Sequence, residues 1–202
     1  MKLKTLVKVG NVNNLTDARY CAGMGVDMIG FCLDEEDPAY LPIDQINAIT
    51  GWMSGVKIVG ETNHFDIEKI NNLIEELNLD YVQLNGSFNF DKYNQINRPI
   101  IQKVLVLDSN VLHLYLEKVE YILFETVDAN FDLMKIREQL KAFSARYPLI
   151  IGSGFTPENI NLILDECHLK GIELKGGKEE NPGSKDLDDL ASILEIIQVE
   201  ED

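Results

Sequence analysis

The chain has 202 residues, 45% of them hydrophobic and 26% charged, which is ample for one domain with a substantial core. Its formal net charge of −16 repels nucleic acid and anionic membrane surfaces, so neither is an expected partner. No window approaches the ~18 apolar residues of a membrane span, and the opening "MKLKTLVKVG" holds too short an apolar run for a secretory signal.

The first apolar run is "LVKV" at 6–9. The following "NLTDARYCAGMG" reads as a helix capped near Asn14 or Thr16 and stopped by Gly23 or Gly25. "MIGFCL" (28–33), a weakly helical stretch at 42–53 and "VKIVG" (56–60) come next. "IEKINNLIEEL" then sets Ile67, Ile70, Leu73, Ile74 and Leu77 on one stripe, the spacing of an amphipathic helix. "YVQL" (81–84), "IIQKVLV" (100–106) and "YILF" (121–124) continue the apolar runs, with weaker helical patterns at 89–96 and 109–118 between them. "FDLMKIREQLKAF" aligns Leu133, Ile136, Leu140 and Phe143. "LIIG" (149–152) leads into "PENINLILDEC", with Ile160, Ile163, Leu164 and Cys167 on one face. "IEL" (172–174) precedes the last helix, "LDDLASILEIIQV".

Runs this short and this apolar suit strands covered on both faces. Eight of them alternating with eight helices predict an α/β fold: a (β/α)8 TIM barrel forming a single domain over 1–202. An open doubly wound sheet would usually have fewer strands at this length. Cys21, Cys32 and Cys167 show no metal-type spacing and cannot all pair, which points to buried packing in a reducing cytoplasm.

In such barrels the site lies where strands run into the following loops. "GSGFTPEN" places Ser153 and Gly154 after the seventh strand and Thr156-Pro157 at an expected helix start. Glycines let main-chain amides approach a ligand, and an anion suits that position. The eighth strand ends similarly in Gly176-Gly177, between Lys175 and Lys178. Paired glycine turns on these two strands predict phosphate binding by Ser153, Gly154, Gly176 and Gly177; plain turn chemistry is the alternative. Lys8 alternates with Gly10 and shares its side of the strand, so Lys8 is a candidate lumen residue. Glu61 and His64 could also reach a ligand at the mouth. Cys32 is expected to point away from the lumen, and His113 and His168 to lie on the surface.

The segments "LVKVGNVNNLTDA", "GVDMIGFCL", "DYVQLNG", "RPIIQKVLV", "ILFET", "PLIIGSGFTPENI" and "GIELKGGKEENPGSKD" occur in the order of the phosphoribosylanthranilate isomerase family, and the chain resembles that family over nearly its whole length. "GFTPENI" and "NPGSKD" resemble its phosphate-side motifs. The resemblance implies an Amadori rearrangement in tryptophan biosynthesis, in which an aminoaldose phosphate opens and becomes a 1-amino-1-deoxyketose. That reaction needs a general acid at the ring oxygen and a general base at C2. It implies a phosphorylated small-molecule ligand, no cofactor, no metal, and a monomer or homodimer. The family's aspartate acid matches Glu125; Glu125 and, from its expected lumen position, Lys8 are the expected catalytic residues. The family's cysteine base, in a pattern like Lys-Ile-Cys-Gly, falls on Gly10. Its arginine for the anthranilate carboxylate falls on Ala39, and its histidine after the fourth strand on Asn85. The glycine-rich loop after the sixth strand is shortened to "TVDANFDL". The phosphate end keeps its pattern while the chemical end departs from it. A non-catalytic barrel that binds a phosphorylated metabolite is therefore the second reading.

Overall fold

The computed structural model describes residues 2–64, 66–86, 90–128, 131–175, 179–181, 184–185 and 188–199. Eight parallel strands close into a barrel in chain order: β1 Leu6–Gly10, β2 Met28–Cys32, β3 Lys57–Thr62, β4 Tyr81–Leu84, β5 Ile100–Val104, β6 Tyr121–Phe124, β7 Leu149–Ile151 and β8 Gly171–Lys175. β8 pairs back onto β1 from Leu6 opposite Gly171 to Gly10 opposite Lys175. The outer helices are α1 Leu15–Gly23, α2 Ile43–Thr50, α3 Ile67–Glu76, α4 Ser109–Tyr115, α5 Arg137–Ser144, α6 Ile160–Glu166 and α7 Asp188–Ile196. This is the expected (β/α)8 barrel. All eight apolar runs became its strands because each is buried by helices outside and by side chains within.

Local chemistry sets the ends. Asn14 caps α1 by accepting the N–H of Asp17 at 2.8 Å, and Gly25 follows the helix at φ +81°. The weak pattern at 89–96 folds as a 3₁₀ helix, Phe90–Gln95, and "FDLMKIREQLKAF" splits into a 3₁₀ turn, Leu133–Ile136, and α5. The helix expected at Pro157 starts only at Ile160, because Asn159 ties the preceding turn. Its side chain donates to Gly154 O at 2.8 Å and accepts from Thr156 N at 2.9 Å. Two short antiparallel pairs escaped the sequence pattern: Lys2–Leu3 with Gln198–Val199, and Glu179–Asn181 with Ser184–Lys185. Among the described residues no helix is long and apolar enough to cross a membrane.

The lumen is stratified. Met28, Val59, Ile101, Leu123 and Ile150 form a buried inner cluster, joined by Leu6, Tyr81 and Tyr121. Side chains alternate along a strand, so the residues two positions further on face the same interior. They are Lys8, Gly30, Glu61, Gln83, Lys103, Glu125 and Gly152. An apolar floor therefore supports a polar layer at the mouth. Each fully buried aliphatic side chain in the floor stabilises by roughly 1.5–3 kcal/mol, enough in sum to carry a layer of buried charge above it.

Candidate active site

The polar layer divides into two ion clusters. In the first, Lys8 donates to Glu61 Oε1 at 2.5 Å and to Glu173 Oε1 at 2.6 Å, with side-chain exposures of 0%, 4% and 0%. β1 and β3 are not neighbours, so Lys8 and Glu61 meet across the interior. Three glycines make the room. A Cβ at Gly30 would meet Glu61 Oε1 at 1.9 Å, one at Gly10 would meet Glu173 Oε1 at 2.4 Å, and one at Gly152 would meet Glu173 Oε2 at 3.0 Å. Carboxyl tips are ordinarily flexible, but these are clamped by the Lys8 ammonium and cannot retreat without breaking a buried ion pair.

The electrostatics follow the burial. Desolvation works against the Lys8 ammonium, but the two carboxylates outweigh it and raise its pKa above the ordinary lysine value. Burial, with Glu61 nearby, pushes the Glu173 carboxyl up despite its bond to Lys8. Two carboxylates share one cation, and the more buried of them resists ionising.

In the second cluster Glu125 accepts from Lys175 at one oxygen and lies 2.7 Å from Lys103 at the other. Burial opposes its ionisation. The two ammoniums nevertheless win and hold the Glu125 carboxyl below its ordinary range. Lys175 sits two residues beyond Glu173 on β8, and desolvation there is outweighed by Glu173 and Glu125, which raise its pKa.

The β7 turn lies beside this second cluster. Ser153 Oγ accepts the N–H of Thr126, the residue after Glu125, at 3.1 Å. Gly152 N donates to Phe124 O and Thr156 N to Asn159. Among the described residues the N–H groups of Ser153, Gly154 and Phe155 have no protein acceptor. Gly154 has φ +82°, and a Cβ there would come within 2.9 Å of Phe131 and 3.0 Å of Leu133. Gly154→Ala is therefore expected to destabilise by roughly 1–3 kcal/mol, read as a lower urea midpoint at unchanged slope. A midpoint equal to that of the parent would show that the turn is not constrained. Gly176 and Gly177 lie outside the described residues.

A third grouping flanks the mouth after β2 and β3. Asp34 accepts from Thr62 Oγ1 at 2.6 Å and from Asn63 N and Nδ2, each at 2.7 Å, while His64 Nε2 stands 3.5 Å from it. Asp34, Asn63 and His64 border a cavity of about 510 Å³ whose other walls include Glu35, Glu36, Asp37 and Lys69. Ala39 follows directly in this loop, its N–H bonded to Asp37 at 2.8 Å.

The expected site residues are thus distributed between two clusters. Glu125 stands at the mouth, next in the chain to Thr126, whose N–H bonds Ser153. Lys8 lies deeper, its ammonium committed to two glutamates, one of them the candidate Glu61. Cys32, expected to face outward, falls on the same side of β2 as Met28 and Gly30, because it lies four residues from Met28. Burial pushes its thiol up to about 11. The sequence reading passed over Glu173 and Lys103. Both had a signal: each is a charged residue inside a run taken as apolar, in phase with the inward-facing side of its strand.

A family model described as "N-(5'phosphoribosyl)anthranilate (PRA) isomerase" matches residues 17–196. A protein named N-(5'-phosphoribosyl)anthranilate isomerase from Microcystis aeruginosa is 27% identical over 95% of this chain and 97% of its own. The crystal structure of phosphoribosyl anthranilate isomerase from Thermotoga maritima superposes with a TM-score of 0.81 at 23% identity, covering 96% of this chain and 98% of that one. Another solved isomerase superposes at 0.79 with 24% identity over 96% and 98% of the two chains, and holds reduced 1-(o-carboxyphenylamino)-1-deoxyribulose 5-phosphate.

Proposed function

The chain belongs to the N-(5'-phosphoribosyl)anthranilate isomerase family, and from that premise we propose that it binds a phosphorylated sugar at the β7–β8 mouth but isomerises phosphoribosylanthranilate poorly. The observation that carries this reading is position 10. The proton acceptor of the family reaction is replaced by glycine, and the space its side chain needs is filled by Glu173 and Glu61, already engaged with Lys8.

Three further observations support it. The N–H groups of Ser153, Gly154 and Phe155, which have no acceptor among the described residues, form a main-chain cradle suited to phosphate, with Gly176 and Gly177 as the expected second half. Glu125 is the proposed acid, and Lys103 and Lys175 hold its carboxyl below its ordinary range against the effect of burial. The cavity beside Ala39 presents Asp34, Glu35, Glu36 and Asp37 against Lys69. A benzoate carboxylate there would be desolvated among like charges, with Lys69 as the nearest cation in the wall. Lys8 acts from beneath by fixing Glu61 and Glu173. Two of its three N–H donors go to these carboxylates, and the side chain is fully buried. The buried, unpaired thiols of Cys21, Cys32 and Cys167 fit a reducing cytoplasm.

Losing a positioned general base lowers the rate by ~10²–10⁴. Steady-state fluorescence with phosphoribosylanthranilate is therefore expected to show turnover at least ~10² below that of an intact site, with the residue abolished in Glu125→Gln. Ordinary family-level turnover would refute the reading. The second reading, a binder without turnover, rests on the same filled space at position 10. Thermal stabilisation by phosphosugars with no product would select it.

A further inference from the structure

Lys175 ends β8 and reaches across the mouth to bond Glu125 on β6. Its side chain is 34% exposed and that of Glu125 14%, so the cation has room to move and the carboxylate has little. The β7 turn, with three N–H groups that have no acceptor among the described residues, is hydrogen-bonded through Ser153 to the residue after Glu125. A phosphate in that turn would lie beside the Lys175–Glu125 pair. Among the described residues the other charges bearing on this pair are Lys103 on Glu125, and Glu173 and Glu61 on Lys175; Lys8 holds both of those glutamates. Lys103 stays with Glu125, being its neighbour on β5 and 21% exposed. Lys175 is the cation that an arriving anion can recruit.

We propose that Lys175 is shared between Glu125 and the ligand's phosphate, so that phosphate binding draws Lys175 off Glu125 and Glu125 takes up a proton from solvent. The inference rests on the phosphate reading above and deepens it. Burial alone favours the neutral acid at Glu125, and the two ammoniums hold it ionised. Withdrawing one of them lets burial prevail. The acid that ring opening needs is then formed only in the loaded site. Glu125 passes its new proton to the ring oxygen as the C1–O bond breaks, the amine lone pair closes the C=N bond, and the glutamate returns to carboxylate. Lys175 is a positioning residue in this scheme, since it acts through Glu125.

Sulfate is the probe, because it carries no proton of its own near neutrality. The full chain is titrated with sulfate in lightly buffered solution containing a pH indicator, while a thermal shift reports binding independently. A fraction of a proton is expected to enter per sulfate bound, greatest between the low carboxyl value of the empty site and the raised value of the loaded one, and vanishing on either side. Glu125→Gln is expected to bind sulfate without uptake. Lys175→Met is expected to shrink the uptake, because Glu125 then holds more of its proton beforehand. Sulfate binding without proton uptake overturns the inference and leaves the phosphate reading standing. Absence of binding overturns both. Uptake that persists undiminished in either variant assigns the proton elsewhere and overturns the inference. If Glu125→Gln does not fold, carbon-13 spectra of the glutamate carboxyls, with and without sulfate, read the same event: a carboxyl that stays ionised on binding overturns it.

Discussion

Lys8→Met is expected to lower stability by about 3–5 kcal/mol at neutral pH, the usual consequence of removing one partner from a buried ion cluster. Lys8 is 0% exposed, and its ammonium is the common partner of Glu61 and Glu173. Methionine fills a similar volume, so the loss isolates the charge. Two carboxylates would remain in the lumen with no cation between them. Against a typical total of about 5–15 kcal/mol the variant would be marginal. The exposed pair of Lys57 and Asp80, at a comparable 2.8 Å, sets the contrast: there the same deletion is worth at most ~1 kcal/mol. Burial, not distance, separates the two.

The pH dependence has a definite sign. Glu173 has a folded-state pKa raised above its unfolded value, so the stability it contributes is full below the ordinary glutamate value and is lost as pH rises through the raised one. Lys8, also raised, contributes stability that persists up to the ordinary lysine value and disappears above it. Without Lys8 the Glu173 carboxyl moves further up, and the difference between parent and variant is expected to shrink as pH falls. Urea denaturation across that range measures it. Replacing both glutamates by glutamine in the Lys8→Met background is expected to recover most of the loss. A Lys8→Met loss below ~1 kcal/mol, or one independent of pH, would sink the account of a charged lumen.

The barrel itself was legible because its strands are short, apolar and separated by amphipathic helices: Ile70, Leu73 and Ile74 announce α3, and all three are buried. Boundaries were less legible where side chains reroute the backbone. Asn159 delays α6 by three residues, and no periodicity records that. The tight turn after β7 was readable because Gly154 has to be glycine on steric grounds. The ion clusters were not, because a run such as "IEL" is apolar on average while its central glutamate points inward. Composition over a run hides that residue; phase along the strand reveals it. Lys8, Glu61 and Glu173 come from β1, β3 and β8, and only barrel closure brings them together. The significance of Gly10 was likewise half visible. The family resemblance implies a thiol missing at position 10, and the structure shows that the space a side chain there would need is occupied.

That occupancy yields the second large effect. Gly10→Cys restores the residue type of the family's proton acceptor, yet it is expected to leave turnover where it was and to destabilise by about 1–3 kcal/mol through overpacking. The new Cβ would stand 2.4 Å from Glu173 Oε1 and 3.1 Å from Glu61 Oε1, and those oxygens can move only by leaving Lys8. Glu173→Asp withdraws the nearer carboxyl by one methylene while keeping a charge for Lys8. The double variant is therefore expected to be more stable than the sum of its parts, by ~0.5–3 kcal/mol of coupling. It is also the form in which kcat rises, toward the ~10²–10⁴ that a general base supplies. KM stays high in all three, because Ala39 and the acidic wall beside it are unchanged. A thermodynamic cycle run alongside steady-state kinetics measures both quantities. Full stability and family-level kcat in Gly10→Cys alone would mean that the lumen carboxylates yield freely, and that position 10 is vacant rather than filled.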